Sequence, residues 1–176
     1  AKALRDYGKS QKYVHDKLGL NSRLDELQAA LLSKVCLPKL PEWTQRRQVI
    51  AQAYLEQIHN PAITIPKPPE HSTSVWHLFP TLVEQRDEFM AYLKGHGVAS
   101  GIHYPILITD QKALIDTVDD VAVYGDLANA KRYATQEVSL PIHPYLSDTE
   151  VDQVIHLCNQ WTPSSCRPER PRVHGV

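Results

Sequence analysis

The sequence lacks an excess of charge of either sign, and it lacks long apolar runs. With 19 basic and 20 acidic side chains, its formal net charge is -1. This balance gives no general electrostatic attraction to nucleic acid or to anionic membranes, so we expect a small-molecule or protein partner. No apolar run could span a bilayer and no signal-peptide pattern opens the chain, which predicts a soluble cytoplasmic protein.

Cysteine is also scarce, and the three cysteines show neither metal-type pairing nor the spacing of a disulfide framework. This pattern is typical of a reducing compartment. The nine histidines lack the paired spacings that bring two imidazoles to one ion, so we expect structural or surface histidines and no metal site. The sequence has no Gly-x-Ser-x-Gly elbow and no glycine-rich phosphate loop, so it supports neither a hydrolase nor a nucleoside triphosphatase.

The first eight residues resemble the end of a helix. They close on Gly8, a residue typical of a helix C-cap, and they carry no signal for a helix start. We therefore expect that the chain starts in the middle of a fold and that upstream sequence is missing. Removal of an initiator methionine before Ala1 is the alternative explanation.

The most informative stretch of the sequence is residues 19–30. Ser22 and Asp25 form a variant of the capping box, which predicts a helix that begins at Arg23 or the leucine after it. The free N–H groups and positive dipole of a helix start attract phosphate, and Asn21 and Arg23 would add amide and guanidinium donors. An ordinary helix cap is the alternative, and spacing alone favours it.

Residues 1–61 are interpreted as a helical arm. We expect the apolar face of its first helix to be buried, and this face consists of Leu24, Leu27, Leu31 and Val35. Pro38 and Pro41 predict a kink or a short break before a second helix. The stripe of the second helix consists of Trp43, Arg47, Ile50, Tyr54 and Ile58. Asn60 and Pro61 should end it.

Residues 62–161 are interpreted as a small α+β domain, and residues 162–176, rich in proline and arginine, as a disordered tail. An extended connector is expected at 63–69, and strands are expected at 75–83, 98–104 and 138–140. Helices are expected at 87–95 and 126–136 and after a capping box at 147–150. Segment 106–123 is interpreted as a loop with one helical turn.

Several motifs in the same order resemble those of the DegT/DnrJ/StrS family of pyridoxal-phosphate-dependent (PLP-dependent) sugar aminotransferases. The resemblance covers residues 1–161. The motifs are Lys12-Tyr13 with His15, residues 19–30, Trp43 with Arg46-Arg47 and Ala53-Tyr54, Val75-Trp76-His77-Leu78-Phe79, Arg86-Asp87, Gly101-Ile102-His103-Tyr104-Pro105, and Ser139-Leu140-Pro141-Ile142-His143-Pro144. Several motifs in register are more specific than any one of them.

The resemblance implies an α+β fold, the C-terminal portion of a fold-type I transferase with a helical arm and a small domain around a short sheet. It also implies a homodimer formed through the arm, with pyridoxal 5'-phosphate at the subunit interface. The implied reaction moves an amino group from an amino acid, glutamate in our interpretation, to a nucleotide-linked keto-deoxyhexose. Such sugars serve cell-surface polysaccharide or secondary-metabolite biosynthesis.

The resemblance also implies roles for individual residues. Asn21 matches an asparagine that reaches across the interface to the cofactor phosphate, and Arg23 matches an arginine that approaches the donor carboxylate or the sugar. Tyr13, His15, His103 and Tyr104 are further candidates for substrate binding. For His103, packing remains an alternative to a substrate-side or catalytic role.

The chain departs from the family pattern at two places. None of its lysines lies in a context that resembles the Schiff-base segment, so we expect the catalytic lysine and the large domain to be missing and this chain alone to be inactive. After Pro105 the chain continues with Ile106-Leu107-Ile108, where the family has another proline and a histidine. A non-catalytic sugar-binding or regulatory module that keeps only the small domain is the alternative function.

Overall fold

The computed structural model of the chain describes residues 2–22, 24–115 and 122–166. By packing, the chain forms two compact units, Ala1–Trp43 and Thr44–Val176. The sequence-based division between residues 61 and 62 stays a prediction. Across the described ranges, no helix has the length and apolar character needed to cross a membrane.

The first unit begins with a short helix and a small hairpin. Helix α1 spans Lys2–Arg5, and strand β1 (Lys9–Gln11) pairs antiparallel with β2 (Val14–His15). After the hairpin the chain returns to the end of α1, where Asp6 and Asn21 form an isolated antiparallel bridge. This return fixes the backbone of Asn21 although its side chain is exposed.

Two glycines make that return possible. Gly8 has a φ of +72°, and a Cβ on it would lie 1.6 Å from the carbonyl oxygen of Lys17. A Cβ on Gly19 would lie 2.2 Å from the backbone nitrogen of Gly8. Since any side chain at either position would collide with backbone, the two segments approach this closely only because both residues are glycine.

The helix after this return begins later than the sequence predicts. Helix α2 spans Glu26–Leu31, and its N-cap is Asp25, whose Oδ1 accepts the Leu27 N–H at 2.9 Å. The predicted start, with Ser22 as the cap, is wrong because Asp25 offers the same capping chemistry three residues further along. The Ser22 N–H instead donates to the carbonyl oxygen of Arg5 at 2.9 Å.

The two prolines do not interrupt the helical backbone, so the predicted break is also wrong. A π-helical turn at Leu32–Cys36 follows α2, and α3 (Leu37–Gln57) continues directly from it with Pro41 inside. The Leu37 N–H bonds to the carbonyl oxygen of Leu32, five residues back. This wider turn lies just before the first proline, near the position where the sequence predicts a kink or a short break.

The apolar face predicted to be buried in the first helix is exposed in this chain. Leu27 is 80% exposed, and the other three residues of the face are about half exposed. The helical spacing was recognised correctly, but burial requires a partner surface, and the described part of the chain supplies none at these positions.

The second unit is built on a two-stranded antiparallel sheet. Strand β3 (Phe79–Leu82) pairs with β4 (Glu137–Leu140). Single bridges extend the sheet on both sides, from Thr64 to β3 and from Gly101 to β4. The strand predicted at 138–140 is therefore confirmed. The strand predicted at 75–83 is shorter than expected, and the one predicted at 98–104 is reduced to the single bridge at Gly101.

In the segments where longer strands were predicted, side chains form hydrogen bonds with backbone groups. The carbonyl oxygens of Ser74 and His77 accept hydrogen bonds from Gln48 and Arg47, respectively. The His103 N–H donates to the Glu137 carboxylate. These side-chain partners satisfy backbone groups that the sheet ladder does not pair.

Four α-helices follow β3 in the described part of the second unit. They are α4 (Arg86–Gly95), α5 (Lys112–Ile115), α6 (Ala128–Gln136) and α7 (Asp148–Gln160). A 3-10 turn at Ile108–Asp110 precedes α5. The predicted capping box is confirmed, because the Ser147 side chain accepts the Glu150 N–H and the Glu150 carboxylate accepts the Ser147 N–H.

The core of the second unit lies between the sheet, the C-terminal half of α3, α4 and α7. Its largest fully buried apolar side chains are those of Tyr54, Phe79, Phe89, Ile50 and Leu93. The Tyr54 ring packs edge-on against Phe79 with centroids 5.1 Å apart, and Phe89 packs on Trp161 at 4.9 Å. The predicted apolar face of the last helix is confirmed as part of this core.

The chain stays attached to the second unit beyond residue 161. The N–H and hydroxyl of Ser164 donate to the two carboxylate oxygens of Glu88 at 2.9 and 2.7 Å. This contact falls inside the segment for which the sequence predicts a disordered tail. Residues 167–176 lie outside the described part of the chain.

Candidate functional site

Asn21 is an exposed residue in the first unit, on the segment that passes the end of α1. Among the described residues, its side-chain amide has no hydrogen-bond partner, so its donors are available to an external acceptor. Arg23, the second residue of the predicted anion site, lies outside the described residues.

The helix start near Asn21 differs from the one that the sequence predicts. Asp25 caps it and occupies the Leu27 N–H, and Glu26 is the first helical residue. Two carboxylates at a helix N-terminus already use its positive dipole and would repel a phosphate. Anion binding in this region therefore depends on side-chain donors, and the exposed amide of Asn21 offers two N–H groups.

Tyr13 and His15 lie on the hairpin of the first unit. Tyr13 occupies the turn with a φ of +70° and is 83% exposed, and the Lys12 ammonium lies 5.1 Å from its ring centroid. The Nδ1 of His15 lies 2.9 Å from the carbonyl oxygen of Tyr7. Because a carbonyl oxygen only accepts, His15 carries a proton on Nδ1 and keeps Nε2 for another partner.

A cleft of about 310 Å³ lies in the second unit at the edge of β4. Its polar lining includes Arg47 on α3, His77 before β3, His103 after Gly101, Ser139 on β4 and His143 after β4. The structure thus brings His103 together with four residues that the sequence analysis did not select as site residues, namely Arg47, His77, Ser139 and His143. The described residues contain no cluster of His, Cys, Asp and Glu suited to a metal ion.

Arg47 shapes one wall of this cleft. One terminal nitrogen of its guanidinium donates to the carbonyl oxygen of His77 at 3.1 Å and lies 3.4 Å from that of Trp76. Trp76 has a φ of +48°, a conformation that non-glycine residues seldom adopt. The guanidinium therefore holds the chain in the turn that presents His77 to the cleft.

His103, which also lines the cleft, is held by a chain of hydrogen bonds. Its Nδ1 lies 3.0 Å from the Ser139 hydroxyl, which donates to Glu137 Oε1 at 2.6 Å. Glu137 is fully buried and Ser139 is 5% exposed. Tyr104 is 74% exposed, and its ring lies edge-on to His103 with centroids 5.4 Å apart.

Sequence reasoning missed Glu137, the buried carboxylate of this site. One signal was present, because Glu137 lies directly before the strand predicted at 138–140 and two residues before Ser139, so a strand that starts one residue earlier places both on one face. The side chain that contacts this face is His103, and its Nδ1 bonds to Ser139, 36 positions later in the sequence. Only the fold brings them together, so the pair of polar residues carried no indication of what it contacts.

Comparison with known proteins agrees with this arrangement of elements. The model of the DegT/DnrJ/EryC1/StrS aminotransferase family matches residues 1–159. The chain belongs to this family. The resemblance stated from the motifs is thereby confirmed, and the family consists of PLP-dependent aminotransferases.

Relatives within the DegT/DnrJ/EryC1/StrS family are longer than this chain. It is 40% identical over 158 residues to the dTDP-3-amino-3,6-dideoxy-alpha-D-galactopyranose transaminase of Aneurinibacillus thermoaerophilus, covering 90% of this chain and 42% of the relative. The chain therefore spans about two fifths of the length of the curated relatives it matches.

Solved structures of the family share the fold. DesV of S. venezuelae, in complex with a ketimine intermediate, matches with a TM-score of 0.83 and 36% identity over 96% of this chain and 44% of that chain. NtdA of Bacillus subtilis with bound cofactor PMP matches with a TM-score of 0.72 and 27% identity, over 89% of this chain and 37% of that chain. The predicted fold class, an α+β portion of a fold-type I aminotransferase, is confirmed.

Proposed function

We propose that this chain is part of a PLP-dependent aminotransferase that acts on a nucleotide-linked keto-deoxyhexose, with glutamate as the amino donor. The family match over residues 1–159 carries this proposal. It is supported by the 40% identical relative, whose name describes a transaminase of a dTDP-linked 3-amino-dideoxyhexose. The product would serve cell-surface polysaccharide or secondary-metabolite biosynthesis.

Asn21 is the residue we assign to the cofactor. Its exposed amide supplies N–H donors of the kind that phosphate oxygens accept, so the donor chemistry fits the phosphate of pyridoxal 5'-phosphate. When bound, the cofactor supplies the electrophilic carbonyl that exchanges for the amino group. Asn21 would retain and orient it by its phosphate, and this chain's part of the reaction is therefore binding and positioning.

The substrate side is assigned to two groups of residues. In the first unit these are Arg23, Tyr13 and His15, and in the second unit they are His103 and Tyr104. The exposed Tyr13 and Tyr104 rings offer flat apolar surfaces suited to a sugar or a base. His103 lines the cleft with a ring nitrogen that can bond a substrate group.

A homodimer formed through residues 1–61 completes the proposal. The apolar face of the first helix supports it, because Leu24, Leu27, Leu31 and Val35 are each 46% to 80% exposed in the isolated chain. A row of exposed leucines at helical spacing is typical of a surface that another protein surface covers. We propose that the assembled enzyme covers this face.

The function is tested on the full-length protein that contains this chain. Purified protein should show the absorbance of a bound pyridoxal cofactor, and addition of glutamate should remove that absorbance. A chain that binds a nucleotide-linked sugar but retains no cofactor would instead favour a sugar-binding or regulatory module.

The role of Asn21 is tested by Asn21→Ala in the same protein. We expect cofactor retention to weaken by about 1.5–3 kcal/mol, which is the range for one hydrogen bond to a charged group. Asn129→Ala on α6 is a matched control, since Asn129 is also exposed and is not assigned to a site. Equal cofactor affinity in the two variants would contradict the assignment.

A further inference from the structure

The hydrogen-bond chain behind His103 determines which of its ring nitrogens carries a proton. Both carboxylate oxygens of Glu137 are engaged as acceptors, one by the His103 N–H and the other by the Ser139 hydroxyl. A hydroxyl has a single proton, and Ser139 gives it to Glu137. Its oxygen can then only accept from His103, so Nδ1 must be the protonated nitrogen.

The same count of donors and acceptors shows that Nε2 carries no proton. In neutral imidazole, one nitrogen donates and the other accepts, so a proton on Nδ1 leaves a lone pair on Nε2. Within the described residues, Nε2 of His103 has no hydrogen-bond partner, and the residue lines the cleft. The cleft therefore presents an acceptor at this position.

The ring is also held in place sterically. A Cβ on Gly101 would lie 3.0 Å from Cε1 of His103, so the ring lies directly over this glycine. Backbone bonds between Gly101 and Ser139, 3.1 and 2.9 Å long, fix the glycine to β4. The imidazole is thus fixed by one strand from two directions, through its Nδ1 and through the residue beneath it.

We propose that Glu137 and Ser139 are positioning residues that hold His103 in the Nδ1–H tautomer, so that Nε2 accepts a hydrogen bond from a sugar hydroxyl in the cleft. The assignment of the hydroxyl to a sugar rests on the proposed function. The tautomer itself follows from this chain alone. A neutral imidazole in this state cannot donate from Nε2, so this position selects a hydroxyl and not a phosphate oxygen.

Nitrogen NMR of the whole chain, labelled with 15N at histidine, tests the tautomer without any ligand. At a pH where His103 is neutral, we expect the Nδ1–H form to exceed the Nε2–H form by about tenfold, since one net hydrogen bond shifts an equilibrium by that order. His96 is an internal reference, because its Nδ1 lies 2.8 Å from the carbonyl oxygen of Tyr92 and must be protonated.

Two variants should change the signal of His103 and one should not. Ser139→Ala removes the acceptor, so the preference for Nδ1–H should be lost. Glu137→Gln supplies an amide that donates to Ser139, which then donates to Nδ1, so the tautomer should reverse. Thr81→Val is the matched control, because it removes a buried hydroxyl that donates to Val138 at 2.8 Å on the same sheet and does not touch His103.

The opposite result in the unaltered chain would overturn the proposal. A protonated Glu137 would donate to Ser139 and reverse both bonds, which would give His103 the Nε2–H form. Unchanged spectra in Ser139→Ala would likewise overturn it. The Ser139 variant keeps the test decisive if Glu137→Gln does not fold.

A nucleotide diphosphate-linked hexose, added to the full-length enzyme, tests the hydroxyl. Binding that shifts the Nε2 resonance of His103 supports the acceptor role, and binding that leaves it unchanged overturns that role. If this probe does not bind, the proposed function and the sugar hydroxyl both fail. The tautomer spectra would still decide whether Glu137 and Ser139 position His103, so the two failures are distinguishable.

Discussion

Tyr54→Phe should destabilise the chain at neutral pH, and this loss in the free energy of unfolding should become smaller above pH 10. Tyr54 is fully buried, and its hydroxyl donates to the carbonyl oxygen of Pro141 at 2.9 Å. Removing the hydroxyl loses this bond and leaves a part-buried carbonyl without its partner, which costs about 1–3 kcal/mol of the free energy of unfolding. Below pH 9 this difference should be constant.

The pH dependence follows from the ionisation of the phenol. Burial raises the pKa of Tyr54 well above its usual value of 10.0, with Cys158 adding to the shift and Arg46 opposing it. Above pH 10 the unfolded chain therefore releases a proton that the folded chain keeps, and stability falls. At pH 11 this loss reaches about 1.4 kcal/mol in the unaltered chain and is absent in the variant.

Urea unfolding of both proteins at pH 8, 10 and 11 measures the difference. The difference in the free energy of unfolding should shrink by about 1.4 kcal/mol between pH 8 and pH 11. The other titrating groups contribute equally to both chains and cancel. Tyr124→Phe is the control, since Tyr124 is 88% exposed and its loss should leave stability unchanged at every pH. A Tyr54→Phe difference that stays constant up to pH 11 would refute the reasoning.

Two further predictions concern α7. Ser147→Ala should cost about 0.5–2 kcal/mol in urea unfolding through loss of the capping box. Hydrogen bonds from the Ser147 N–H and hydroxyl lower the pKa of Glu150, so this pKa should rise in the variant when it is measured by NMR. A lowered pKa in the folded state contributes stability that is lost as the pH falls through that pKa. An unchanged pKa would contradict this mechanism. Cys158 is fully buried and burial raises its pKa to about 12, so a thiol reagent at pH 8 should label it more slowly than the half-buried Cys36. Peptide mass mapping measures the two labelling rates, and equal rates for Cys158 and Cys36 would contradict this prediction.

Local signals in the sequence predicted the second unit well. The capping box at Ser147 needs only neighbouring residues, so it could be recognised without the fold. The periodic face of the last helix was equally clear, because a stripe that includes Val151 and Trp161 faces the core. Where a residue and its partner are close in sequence, the pattern was sufficient.

The first unit shows where such signals fail. Ser22 and Asp25 are both good caps, and the choice between them depends on the return of the chain beside α1, which engages the Ser22 N–H. The face that includes Leu27 is periodic, yet periodicity says only which residues share a face. Whether that face is covered depends on a partner surface, and the sequence of this chain does not contain that information.

Glu137 shows why the site in the second unit needed the structure. A carboxylate buried in a sheet is costly, and an apolar residue at the same position would stabilise the core at least as well. Two donors, the His103 N–H and the Ser139 hydroxyl, offset part of this cost. Since packing alone gains nothing from a carboxylate at this position, its effect must be sought in what it orients, and the group at the end of its hydrogen-bond chain is the imidazole in the cleft.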